Sequence, residues 1–364
     1  MNIKPFKALY PNLKLIPSPE SFFDVMKKEF PHYLRNGFFK RTKAPCLFLY
    51  KIETKHDASY GLICSTDVND IKKGKVLKHE NTLASKEQQM LDLALQRSAM
   101  IKPVLLGHPH NDALLNIYNQ VEKGKPFFTV DFKSEKTKHH VWKIKNENHQ
   151  KEIVKIFSST VSSSYIADGH HRVSTGILLN KSKKNTIEYG DLLSIYMSFN
   201  DLHIYDYSRV VTILNEISSV KLMASLAKYF KIKPMKKLVK PTKKFELIML
   251  VGKEVFKLQW KKKYIHSEKP VILDAELLNE HVFKNIMGIK DVRFDSRIQY
   301  IGGRGNSKEM KSEILKNDYA IGFMMYPVHS DELMKLADAG ETLPPKSTWF
   351  EPRIKNAIIA QEFK

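Results

Sequence analysis

Residues 162–179, Ser-Ser-Ser-Tyr-Ile-Ala-Asp-Gly-His-His-Arg-Val-Ser-Thr-Gly-Ile-Leu-Leu, constrain the fold more than any other stretch. Tyr165, Ile166 and Ala167 form a short apolar run of strand character, which Asp168-Gly169 breaks. Beyond the glycine, Val173, Ile177 and Leu178 fall on one side of a predicted helix. A strand that turns through glycine into a helix leaves the first helical N–H groups outside the ladder and gathers partial positive charge there. Anions settle at such a turn. This one also carries His170, His171 and Arg172, whose guanidinium fork matches a pair of phosphate oxygens. Gly169 permits close approach of a ligand. A plainer reading has Asp168 as a helix cap beside surface histidines and an exposed arginine. The crowding of Asp, Gly, His, His and Arg into consecutive positions favours a functional loop. Metal binding by His170 with His171 is disfavoured, because adjacent helical side chains point about 100° apart.

Strand and helix signals surround this turn. Residues 1–20 contain Pro5, Pro11, Pro17 and Pro19 and read as extended surface chain. A helix starting near Pro19 places Phe22, Phe23, Met26 and Phe30 toward a core. Residues 45–51 and 59–65 read as two strands joined by a polar hairpin. The segment Val76-Leu77-Lys78-His79-Glu80-Asn81-Thr82 sets ionisable residues between an apolar pair and a helix over 85–99, where Ser85 and Gln88 fit a capping box. Glu80, beside His79, is the acid outside the central turn best suited to accept a proton from a hydroxyl. An ion pair with Lys78 or Lys86 is the simpler alternative. His108 and His110 lack further ligands at metal spacing. Residues 192–199 are almost continuously apolar, which predicts a central strand.

Residues 215–290 read as a separate lobe: a helix over 220–229, a lysine-rich connection over 231–244, strands over 245–251 and 255–260, a further strand or extended piece at 271–274 and a helix over 275–287. Pro234 and Pro241 interrupt the lysine cluster, which argues against a DNA-reading helix. Gly302-Gly303-Arg304-Gly305-Asn306 is a second glycine-rich turn, of a kind too common to specify phosphate binding alone. The divisions that follow are an N-terminal α/β lobe (1–150), the phosphate-loop segment (151–214), an inserted lobe (215–290) and a C-terminal segment returning to the core (291–364). The fold class is α/β or α+β, with mixed sheets in two or three lobes.

Sixty Lys plus Arg against 39 Asp plus Glu give a formal charge of +21, which suits polyanionic partners or a lysine-rich surface equally. No apolar run is long enough to span a bilayer. The N-terminus lacks the apolar core of a secretory signal. Cys46 and Cys64 each sit in apolar runs and read as reduced, buried thiols of a cytoplasmic protein, with a disulfide between them as the alternative.

Asp168-Gly169-His170-His171-Arg172 resembles the Gly-x-x-Arg phosphate loop of the ParB/sulfiredoxin superfamily, which includes the free-serine kinases. The whole chain resembles the family of domain of unknown function 1015 more closely. Lys4-Pro-Phe-Lys-Ala8, Lys78-His79-Glu80-Asn-Thr82, the central loop and Leu343-Pro-Pro-Lys346-Ser347-Thr348-Trp-Phe350 occur in that family's order. The resemblance implies a nucleotide-binding core. Its nucleotide would be ATP, or ADP or CTP, with Mg²⁺, and its second substrate a small hydroxyl metabolite such as free L-serine. Gly169, His170, His171 and Arg172 would hold phosphates. Glu80, His79 and Asp168 would be catalytic, and Thr82, Arg209, Lys346, Ser347 and Thr348 would make further contacts. Tyr207-Ser208-Arg209 keeps the arginine of the family's Thr-His-Arg type segment but lacks its histidine. The rival expectation is a CTP-binding, DNA-associated ParB-like regulator, although no helix-turn-helix is evident. Sulfiredoxin-like repair is disfavoured, since this loop carries histidine in place of cysteine. Nucleic acid is the less favoured partner, and no membrane association is expected.

Overall fold

A computed structural model describes residues 1–80, 84–181, 191–266 and 268–363. The chain divides into two units, Met1–His203 with Pro352–Lys364, and Ile204–Glu351. Helices alternate with several sheets, giving the α/β class expected from the sequence; the expected mixing of parallel and antiparallel pairs occurs in the nine-stranded sheet, whereas the six- and four-stranded sheets are antiparallel.

The first unit is built on a nine-stranded sheet. The runs at 45–51 and 59–65 become the antiparallel strands Leu47–Glu53 and Ala58–Asp67. Strand Asp191–Ser198 lies between Ala58–Asp67 and Val104–His108. Leu192, Leu193, Ile195, Tyr196 and Met197 are all buried, so both faces of that strand are covered and its sequence shows no polar alternation. Strand Ser164–Asp168 pairs with Val104–His108 on one side and runs parallel to Val76–Leu77 on the other. Ser164 stands opposite Val76 and Tyr165 opposite Leu77. The chain therefore leaves both strands at the same end of the sheet, one into Asp168-Gly169 and the other into His79-Glu80. A shift of register between Ile166 and Asp168 leaves Ala167 as a bulge and sets Asp168 opposite Leu105.

Residues 1–20 differ from the extended surface chain expected. Met1, Ile3, Phe6, Ala8 and Leu9 are buried. Ile3–Lys4 pairs with Ala58–Asp67, and Ala8–Pro11 joins a small sheet with Phe39–Arg41 and Ala360–Glu362. The Met1 ammonium donates to the Phe157 and Val161 carbonyls at 2.8 and 2.9 Å. Pro5 and Pro11 stand in a gap between strands and at a strand's last residue, where no ladder donor is lost.

In the second unit Phe230–Met235, Glu254–Trp260, Glu246–Val251, Ala320–Met324, Tyr207–Thr212 and Ile298–Gly302 form an antiparallel sheet in that order. Alternate residues enter two cores: Val211, Leu247, Met249, Ile321 and Phe323 one, and Val210, Ile248, Leu250, Ala320 and Met324 the other. The first part of the lysine cluster is the edge strand Phe230–Met235 and not a connection. An edge position tolerates Pro234, and the exposed Lys231 and Lys233 guard it against pairing with other chains. No strand forms at 271–274; the chain instead enters helix Asp274–Leu277, which continues as a π-helix over Leu278–Lys284. The divisions at 150, 214 and 290 do not coincide with these units. Strands Ser164–Asp168 and Asp191–Ser198 complete the sheet begun by 1–150, whereas Tyr207–Thr212 and strands from 291–351 share a sheet with 215–290.

Candidate active site

The central turn follows directly from local sequence. Strand Ser164–Asp168 ends at Gly169, whose φ of +113° is accessible to glycine and strained for other residues. Helix His170–Lys181 starts immediately, its first bonds running from the Arg172 and Val173 N–H groups to the Gly169 carbonyl at 2.8 and 3.0 Å. A Cβ on Gly169 would fall 2.5 to 2.8 Å from the Arg172 guanidinium. The arginine thus folds back over the glycine that opens its own helix.

Asp168 is the electrostatic centre of the turn. Its Oδ2 accepts from Lys102 Nζ at 3.1 Å and from Arg172 Nη2 at 3.0 Å, and its Oδ1 lies 3.7 Å from Arg353 Nη1. Arg172 Nη2 also donates to the Asp168 carbonyl at 3.1 Å. Burial alone would raise the Asp168 pKa. The charges of Arg172, Lys102 and Arg353 outweigh it and hold the carboxyl well below the usual carboxylate range. Burial pushes the Lys102 ammonium down despite Asp168. One carboxylate facing three cations leaves the turn with surplus positive charge.

On the other side of the turn, Glu80 Oε2 lies 3.8 Å from His170 Nδ1. The His79 and His170 rings meet edge to face, with centroids 4.6 Å apart and planes at 89°. His79 is 3% exposed and His170 8%. Burial drives the His79 pKa well below 6.5, with the neighbouring His170 adding to the effect. Burial likewise lowers His170 to about 4. Both imidazoles are therefore neutral near pH 7, and the His170 Nε2 atom has no hydrogen-bond partner among the described residues. Glu80, His79, Asp168, Gly169, His170, His171 and Arg172 thus converge at one end of the first unit's sheet. Thr82 lies outside the described residues.

The sequence over residues 10–280 matches the family described as "Protein of unknown function (DUF1015)". The chain belongs to that family. Comparison with curated proteins finds no significant match. Solved structures similar to this DUF1015 protein include a free serine kinase in complex with AMP, with 14% identity, 81% of this chain and 92% of the other covered, and a TM-score of 0.41. A conserved hypothetical protein from Pyrococcus furiosus shares 14% identity over 81% and 94% of the two chains at a TM-score of 0.39. SbnI from Staphylococcus aureus, with a C-terminal truncation, shares 10% identity over 81% and 87% at 0.40.

Two charged neighbours of the turn, Lys102 and Arg353, carried no signal in the DUF1015 protein's sequence. Sixty Lys and Arg residues offer no reason to select either, and both reach Asp168 only through tertiary structure. The remaining expected contacts belong to the second unit. Arg209 is fully buried; its Nη1 donates to the Tyr207 carbonyl at 2.9 Å and its Nη2 to the Lys346 carbonyl at 3.3 Å. The guanidinium also lies 5.4 Å from the centre of the Tyr300 ring. Ser347 Oγ donates to the Pro344 carbonyl at 2.7 Å, and Thr348 is half-buried beside it. Lys346 has a φ of +57°, and its exposed ammonium lies 5.4 Å from the centre of the Tyr207 ring.

No group of three or more His, Cys, Asp or Glu among the described residues is arranged to hold a metal ion. Asp168, engaged by three cations, does not fit Mg²⁺ as a ligand. No helix among the described residues is long and apolar enough to cross a membrane.

Proposed function

We propose that this protein is a nucleotide-dependent phosphotransferase acting on a small hydroxyl-bearing metabolite, with ATP or ADP as the donor class and free L-serine as the leading acceptor. The observation that carries the reading is the meeting of Glu80 with His170 at the head of a glycine-turned helix that also gathers Lys102, Arg172 and Arg353 around Asp168.

Phosphoryl transfer asks mainly for alignment and charge neutralisation. The helix-start amides and the Arg172 guanidinium supply donors for phosphate oxygens. Asp168 fixes the direction of Lys102 and Arg172 and serves as a positioning residue. Glu80 accepts the proton of the acceptor hydroxyl as its oxygen bonds to the transferred phosphorus. The bond from phosphorus to the leaving nucleotide oxygen breaks, and the cations of the turn take up the developing negative charge. Neutral His170 orients Glu80, and His79 supports that imidazole edge to face. Mg²⁺ would enter with the nucleotide, held by its phosphates and by the several waters that this ion keeps.

The test is incubation of the full chain with ATP or ADP, Mg²⁺ and a panel of L-serine and other small alcohols, followed by mass spectrometry of the products. A phosphorylated acceptor formed by the wild-type protein and absent with Glu80→Gln supports the reading. Equal product from both proteins removes Glu80 as the base, and no phosphorylated acceptor from either opposes kinase activity.

A further inference from the structure

Beside the turn, the first unit contains a cavity of about 240 Å³ that the phosphate chemistry does not require. Arg172 and Lys102 form its boundary with the turn. One wall is apolar, made by Met90, Ala94, Met100 and Ile101. Lys27 and Arg97 add two more cations, and no carboxylate among the described residues lines the space. Thr175 and Asn356 provide the neutral polar groups. The Thr175 hydroxyl donates to the His171 carbonyl at 2.8 Å, which leaves its oxygen as an acceptor facing the cavity region. Arg172 Nη2 is held on Asp168, yet the buried Nε atom of the same guanidinium has no hydrogen-bond partner among the described residues. A buried donor of this kind calls for an acceptor.

We infer that this cavity takes the heterocyclic base of a nucleotide whose phosphates lie on the Asp168–Arg172 turn. The inference rests on the phosphate reading of the turn and adds the element that distinguishes a nucleotide from a polyphosphate. An apolar wall with a few polar groups at its edge suits a flat, polar-rimmed ring. The volume far exceeds the ~30 Å³ that one water occupies. Arg172 is shared by cavity and turn, so a single guanidinium couples base recognition to phosphate recognition. A free acidic metabolite would use the cations but would gain nothing specific from Thr175 and Asn356.

Calorimetric titration of the full chain with ADP, CDP and pyrophosphate separates the possibilities. The wild-type protein is expected to bind at least one of ADP and CDP ten-fold or more tightly than pyrophosphate. Ala94→Phe, which fills the cavity, should remove that advantage while pyrophosphate affinity stays within two-fold, and Arg172→Ala should weaken both ligand types. Retained pyrophosphate binding reports that Ala94→Phe is folded; if it is lost, Met90→Trp at the same wall replaces it. Equal affinity of the wild-type protein for nucleotides and pyrophosphate overturns the base pocket and leaves the phosphate turn standing. Nucleotide binding that survives cavity filling overturns it too. Binding of neither ligand type by the wild-type protein overturns the phosphate reading along with the pocket.

Discussion

The Glu80 carboxylate stands 3.8 Å from the His170 imidazole, although ninety positions of sequence separate the two residues. The parallel pairing of Val76–Leu77 with Ser164–Asp168 brings them together, because the two strands release their chains at the same end. Glu80→Gln preserves size and removes the proton acceptor. Acceptor-dependent turnover should fall by about 10²- to 10⁴-fold while nucleotide affinity changes little. Steady-state kinetics beside calorimetry checks this; a fall in affinity with unchanged turnover would reassign Glu80 to binding.

Gly169 combines a φ of +113° with a guanidinium packed where a Cβ would stand. Gly169→Ala should displace Arg172 and strain the turn, at a cost of about 1–3 kcal/mol. The expected readouts are a lower melting temperature and weakened binding of pyrophosphate. Unchanged affinity would show that Arg172 does not need its present position.

Asp168→Asn leaves Lys102, Arg172 and Arg353 facing one another without their shared carboxylate. Stability should drop by about 1.5–3 kcal/mol, the worth of a hydrogen bond to a charged group, and turnover should fall more than pyrophosphate affinity, because the surplus positive charge grows as its alignment is lost. Denaturant unfolding and a kcat against KM comparison test both statements. A variant that turns over like the wild-type protein would deny Asp168 its positioning role.

Buried histidines set an acid limit on stability. His108 and His170 are lowered to about 4 and His139 to about 3, in each case chiefly by burial, against an unfolded value of 6.5. Between those values the unfolded chain binds protons that the folded chain excludes, so stability rises with pH across this range. It should be full above about pH 6.5 and fall as the pH drops toward 4, by up to ~1.4 kcal/mol per pH unit for each histidine. Thermal unfolding from pH 7.5 to 4.5 measures this slope. His139→Gln should flatten it, and an unchanged slope would place the protons elsewhere.

The strands at 47–53, 58–67 and 191–198 were legible because their apolar runs are bounded by polar turns and buried as the pattern implies. The glycine turn was legible because Asp168-Gly169 interrupts a strand just before a helix. The buried N-terminus was not, since four prolines mask the short pairing runs between them. Nor was the edge strand Phe230–Met235, where a proline and lysines imitate a connection. Within the site, the turn stands out in the local sequence, whereas Glu80, for which an ion pair with Lys78 or Lys86 is the simpler local reading, becomes a candidate through the resemblance of the Lys78–Thr82 segment to the family's. Their meeting, and the arrival of Lys102 and Arg353 at Asp168, depend on parallel pairing and the return of the last residues to the first unit.

The most direct test of the central claim is nucleotide consumption by the full chain with ATP, ADP or CTP and Mg²⁺, with and without L-serine and small alcohols, beside Arg172→Ala. The account predicts consumption of ATP or ADP that rises with an acceptor and is lost in Arg172→Ala. Nucleotide binding that ignores every acceptor and responds to DNA would contradict it in favour of a ParB-like regulator, and no nucleotide binding would remove the phosphate role of the Asp168–Arg172 turn.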